Sequence, residues 1–184
     1  MARHKLDAID RQILAELQAD GRMTNVELAK RVKITAPPCL RRVRALEKAG
    51  YIKGYHADLD AASLGYGVTA FAFVGLSSQA EADLKAFEDQ VRAWPQVRSC
   101  YMLSGEVDFI LRCVARDLPE LQTFITEKLT AARNVASVKT ALAIRNSKQE
   151  PGIPMEKEAT AEINGGRAHK SRTDQNGRVR SEHM

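Results

Sequence analysis

The hydrophobic pattern of this chain changes period about a third of the way along, and that change limits the fold more than any other feature. Up to Gly50 the apolar residues recur every three or four positions; after a polar stretch at 57–66, β-rich runs alternate with further helical ones. Such a break predicts two small domains joined by a linker, and 184 residues leave room for both.

In the first segment Leu6, Ile9, Ile13, Leu14 and Leu17 fall on one helical face, with Asp7 placed to cap the start and Gly21 the end. Thr24 and Glu27 have capping-box spacing and predict a second helix to about Val32. After Lys33 and Ile34, Thr35 can cap a third helix, which tolerates Pro37 and Pro38 in its first turn because N–H groups there have no helical partner. Cys39, Val43 and Leu46 turn inward, Gly50 stops the helix, and Tyr51–Tyr55 suits a short strand or wing.

In the second segment Val68–Leu76 predicts a strand. Ser78 with Glu81 predicts a capped helix through Leu84, Phe87, Val91 and Trp94, ended by Pro95. Val97–Leu103 and Phe109–Ala115 read as antiparallel strands across a short turn at 104–108. Asp117 with Glu120 opens a helix carrying Leu118, Leu121, Ile125 and Leu129, and Val138–Ile144 supplies a last strand. The order β-α-β-β-α-β is the split, ferredoxin-like arrangement, with helices on one sheet face and the other left for a second copy of the chain.

The expected fold class is α+β. It comprises a three-helix unit with a short wing at 1–56, a linker at 57–66, a ferredoxin-like domain at 67–146 and a disordered tail at 147–184. Beyond Ser147 almost no large apolar residue remains to offset ordering entropy.

Charge separates the two domains. Residues 1–56 hold twelve Lys and Arg against six Asp and Glu, whereas 57–146 hold nine against eleven, so the net +5 is concentrated in the helical part. Such asymmetry suggests a polyanion partner. Arg41, Arg42 and Arg44 lie on the third helix with Lys48 at its end, and Lys30, Arg31 and Lys33 precede it. Three helices with a short turn before a basic third one form a helix-turn-helix, whose last helix can enter the major groove of double-stranded DNA. Arginine there either contacts phosphate or pairs with guanine, and spacing leaves open which residue does which.

Other function classes are poorly served. The four histidines, His4, His56, His169 and His183, pair with no candidate nucleophile, and no ligand spacing suggests a metal, so neither an enzyme nor a cofactor is expected. Cys39, Cys100 and Cys113 read as buried free thiols. No apolar run is long enough to cross a bilayer and no signal-peptide core follows Met1, so the expected location is cytoplasmic. The rival that stays open is a small-molecule-sensing oligomeric module with little specific DNA binding.

Three segments carry a family resemblance: Leu6-Asp-Ala-Ile-Asp-Arg-Gln-Ile-Leu, Asn25-Val-Glu-Leu-Ala-Lys-Arg-Val and Pro38-Cys-Leu-Arg-Arg-Val-Arg-Ala-Leu-Glu. Gly50-Tyr-Ile-Lys-Gly-Tyr and Ser104-Gly-Glu-Val-Asp-Phe extend it. Over residues 5–146 the chain resembles the Lrp/AsnC feast/famine regulators. The resemblance implies a winged DNA-binding domain, an effector-binding RAM domain, dimers and often octamers, and control of transcription by an amino acid or similar metabolite. It places Thr35, Pro37, Arg41, Arg42 and Arg44 where the recognition helix faces DNA. It also places Gly105, Asp108 and Thr140 near the effector, where Ser104 can complete a polar rim with Thr140. Pro37 replaces a usual hydroxyl residue and Lys33 a common glycine, so the operator preference of relatives need not carry over. Val138 and Ala141 replace positions that are often polar or aromatic, which points to a reshaped pocket.

Overall fold

The computed structural model describes residues 5–155. The described residues form two compact units: 5–52 together with 153–155, and Lys53–Gly152.

The first unit contains α1 (Ala8–Ala19), α2 (Asn25–Arg31) and α3 (Ala36–Lys48). Helix α1 starts at a reciprocal capping box: Asp7 accepts from the Asp10 N–H at 2.8 Å, and the Asp10 carboxylate accepts from the Asp7 N–H at 3.3 Å. It ends at Asp20, one residue before the expected Gly21. Thr24 caps α2 by accepting from the Glu27 N–H at 3.2 Å, but the Glu27 carboxylate pairs with Arg31 at 2.9 Å. Ile13, Leu28, Ala29, Val32, Cys39 and Leu46 form the buried core of the unit. Truncating Leu28 or Leu46 there is worth roughly 2–4 kcal/mol. Residues 51–55, read as a strand or wing, carry no helix or strand.

The second unit contains β1 (Val68–Leu76), α4 (Glu81–Arg92), β2 (Val97–Met102), β3 (Phe109–Ala115), α5 (Leu118–Phe124) and β4 (Val135–Leu142). A wider π-type turn, Ile125–Leu129, extends α5. The sheet runs β2-β3-β1-β4 with every pair antiparallel, as the split arrangement requires. Strict alternation on β1 and β3 buries Ala70, Ala72, Val74, Phe109, Leu111 and Cys113 on one side, against Phe87, Val91, Leu121, Phe124 and Leu129. Phe71, Phe73 and Ile110 fall on the opposite side, half-buried.

Three local expectations are corrected. Helix α4 is capped at Ala80 without a side-chain bond, because the Ser78 hydroxyl donates to Asp83 at 2.6 Å and not to a Glu81 box. Leu118 sits in the first turn of α5 with its side chain exposed. Strand β4 starts at Val135, three residues early, because Val135 pairs with Leu76 across a register shift at Gly75 and Leu76.

Of the expected tail, residues 147–155 carry no helix or strand, and Gln18 exchanges two hydrogen bonds with the Ile153 backbone, at 2.6 and 3.1 Å. Residues 156–184 lie outside the described residues.

Candidate DNA-binding surface and effector loop

Helix α3 divides its residues by face. Cys39 and Leu46 are buried and Val43 is half-buried, whereas Pro37, Leu40, Arg41, Arg44 and Lys48 are exposed. The Asn25 amide donates to the Ala36 carbonyl at 2.8 Å, which fixes the start of α3 against α2. Thr35 occupies the N-cap position, yet its hydroxyl makes no cap bond. An exposed hydroxyl and two exposed guanidiniums, Arg41 and Arg44, thus stand on the presented side. Among the described residues neither guanidinium makes an ion pair.

Arg42 is used differently. Its Nη1 lies 2.7 Å from both Asp7 Oδ2 and Asp10 Oδ1, and Asp10 is only 2% exposed. Those carboxylates, Asp10 first, raise the arginine pKa further. In return the Asp10 N–H, and after it Arg42, hold the Asp7 carboxyl below its ordinary value. The α1 capping box and the third helix are therefore one charged cluster. Arg31 is likewise neutralised, by Glu16 and Glu27 at 2.9 Å each. Sequence reasoning missed Asp10; its signal was the Asp-x-x-Asp spacing of the cap, which says nothing about Arg42.

In the second unit the loop between β2 and β3 carries Ser104, Gly105 and Asp108. Ser104 and Gly105 are exposed, and no atom lies within 4 Å of where a Cβ on Gly105 would stand. Asp108 is half-buried and engaged: its carboxylate accepts from the Leu76 N–H at 2.6 Å and the Gln79 amide at 2.8 Å, and its own N–H donates to Val74 at 2.9 Å. It ties the hairpin to the end of β1, where the ladder with β3 stops at Val74 opposite Phe109 and the Leu76 N–H needs another acceptor. Thr140 is exposed on β4, opposite Ala72 across β1. The structure thus brings Asp108 to β1, whose other neighbour carries Thr140, but no hydrogen bond joins the two.

The cysteines are free. Cys39 and Cys113 are buried and Cys100 is half-buried, and burial pushes the Cys100 and Cys113 thiols up to about 11. Among the described residues no group of three or more His, Cys, Asp and Glu is placed to hold a metal ion. In the same residues no helix is long and apolar enough to cross a membrane.

Residues 6–53 match the winged helix-turn-helix DNA-binding family model, and residues 69–153 match the Lrp/AsnC ligand-binding domain. The leucine-responsive regulatory protein of Rhizobium meliloti is 57% identical over 148 residues, 80% of this chain and 95% of that protein. The chain belongs to the Lrp/AsnC family. The Bkd operon transcriptional regulator of Pseudomonas aeruginosa is 41% identical over 77% of this chain and 93% of its own length. A transcriptional regulator from Neisseria meningitidis, solved in complex with L-Met, superposes with a TM-score of 0.77 at 35% identity. That alignment covers 82% of this chain and 97% of the other. As a member of the Lrp/AsnC family, the chain is a DNA-binding transcriptional regulator with a ligand-binding domain.

Proposed function

We propose that this regulator binds its operator as a homodimer or higher oligomer in the cytoplasm, and that an amino acid or related metabolite modulates DNA binding or assembly. The observation that carries the DNA half is the division of α3: Cys39 and Leu46 in the core, Arg41 and Arg44 exposed without carboxylate partners. Thr35, Pro37, Arg41 and Arg44 form the contacting edge, and Arg42 acts with them through the position it gives the helix. Guanidiniums held this way can meet phosphate or guanine.

For the effector half, the 104–108 loop offers open backbone at Ser104 and Gly105, with Asp108 and Thr140 as further polar groups. A bare glycine permits close approach of a ligand, and a carboxylate can receive an ammonium group. The names of relatives direct the screen: one is leucine-responsive and one was solved with L-Met. For assembly, the half-buried Phe71, Phe73 and Ile110 on the side of the sheet away from the core offer an apolar surface to a second copy.

Two measurements test the proposal. Binding to the region upstream of its own gene across a salt series is expected to weaken steeply as salt rises. A sensing module without DNA binding gives no such binding. A thermal-shift screen of the protein amino acids is expected to yield one or a few ligands that raise Tm and change that affinity; a flat screen opposes the effector reading.

A further inference from the structure

Two turns in the first unit use one motif with different residues at its demanding position. At the end of α3, the Gly50 N–H donates to Glu47 and the Tyr51 N–H reaches back to Leu46, each at 3.0 Å, with Gly50 at φ +76°. At the end of α2, the Lys33 N–H donates to Lys30 at 3.2 Å and the Ile34 N–H reaches back to Ala29 at 3.0 Å, with Lys33 at φ +57°. Both are Schellman closures, whose left-handed residue favours glycine because a Cβ is penalised there. Ile34 packs against the core of the unit, so the turn cannot relax without withdrawing it.

The strained side chain is a lysine in the turn of the helix-turn-helix, two residues before the N-cap of α3. It is exposed, and among the described residues it makes no ion pair, unlike Arg31 and Arg42. What it adds is a positive charge at the entry to the recognition helix, whose N-terminal end enters the groove, and lysines and helix N-termini are common phosphate contacts.

We propose that Lys33 is a DNA-phosphate contact, a charge kept beside the recognition helix at the expense of strain in the turn. The inference rests on the DNA-binding reading above. Three variants of the full chain test it on a mixed-sequence duplex of about 40 base pairs, with log K followed against log salt.

Lys33→Gly removes strain and charge together: Tm is expected to rise by about 4 °C or more while the salt slope becomes shallower by about 0.9 per bound protomer. Lys33→Gln keeps the strain and loses the charge, so the slope falls equally without a gain in Tm. Lys33→Arg keeps the wild-type slope. A wild-type slope in both the Gly and Gln variants overturns the contact, as does a shallower slope in Gly alone, which would make turn shape the cause. An unchanged or lower Tm in Lys33→Gly overturns the strain. Failure of the wild-type chain to bind duplex at all would instead defeat the DNA-binding reading, and the proposal with it.

Discussion

The two units handle charge in opposite ways at the surfaces expected to meet a ligand. On α3, one arginine of three is turned inward onto Asp7 and Asp10, and Arg41 and Arg44 are left outward. In the 104–108 loop the one charged residue that resemblance assigns to the effector, Asp108, is turned inward onto Leu76 and Gln79, leaving Ser104, Gly105 and Glu106 exposed. The first arrangement suits a polyanion attracted over distance. The second suits a small ligand recognised by shape and a few close hydrogen bonds. In both, a charged residue next to the contact surface first serves to hold the element in place.

The largest expected effect follows from Arg42. Arg42→Ala removes a cation from Asp10, which is 2% exposed; breaking such a pair is expected to lower stability by about 2–3 kcal/mol, less than for a fully buried pair because Arg42 is itself 31% exposed. Asp10→Asn is expected to reproduce much of the loss, and the double variant to lose less than the sum. DNA affinity should fall with the salt slope intact, because no phosphate contact is removed. A shallower slope in Arg42→Ala at unchanged Tm would place Arg42 among the contacting residues and erase the contrast with Arg41 and Arg44.

Asp108 comes next. Asp108→Ala leaves the Leu76 N–H without its acceptor and is expected to cost about 1–2 kcal/mol in thermal or chemical unfolding. Asp108→Asn restores an acceptor and recovers part of that loss. If the carboxylate also receives the effector, the Asn variant binds DNA normally and no longer responds to the amino acid identified by screening. A full response in a folded Asn variant would make Asp108 structural only.

Arg44→Ala tests the outward half. Its side chain is exposed and holds no ion pair among the described residues, so Tm should hardly move. The salt slope should become shallower by about 0.9 per protomer if the contact is to phosphate. Loss of discrimination between operator and mixed-sequence DNA, beyond a uniform drop, would assign base reading to it.

Periodicity sufficed for elements that bury one face: β1 has the expected bounds, and three helices precede it in the expected order. The helical period also placed Arg41 and Arg44 opposite Cys39 and Leu46. What spacing could not carry were partners set by tertiary approach. Asp10 and Arg42 lie 32 positions apart, and so do Leu76 and Asp108; the second pair depends on where the ladder between β1 and β3 ends, which no local motif announces. Ser78 misled for a related reason: its hydroxyl had a nearer use in Asp83.

The smallest expected effect is the most discriminating for the sensor loop. Gly105 has neither a left-handed backbone nor a neighbour within 4 Å of an added Cβ, so the fold itself does not require glycine there. Gly105→Ala should change stability by less than about 0.5 kcal/mol and leave the DNA salt series unaltered. Whatever needs bare backbone at this position must then approach from outside the chain. A variant with wild-type Tm and DNA binding but a weakened response to the screened amino acid would locate the effector against the loop. An unchanged response would mean that the loop's open backbone is not where the ligand lies, and that the inward turn of Asp108 reflects hairpin anchoring alone.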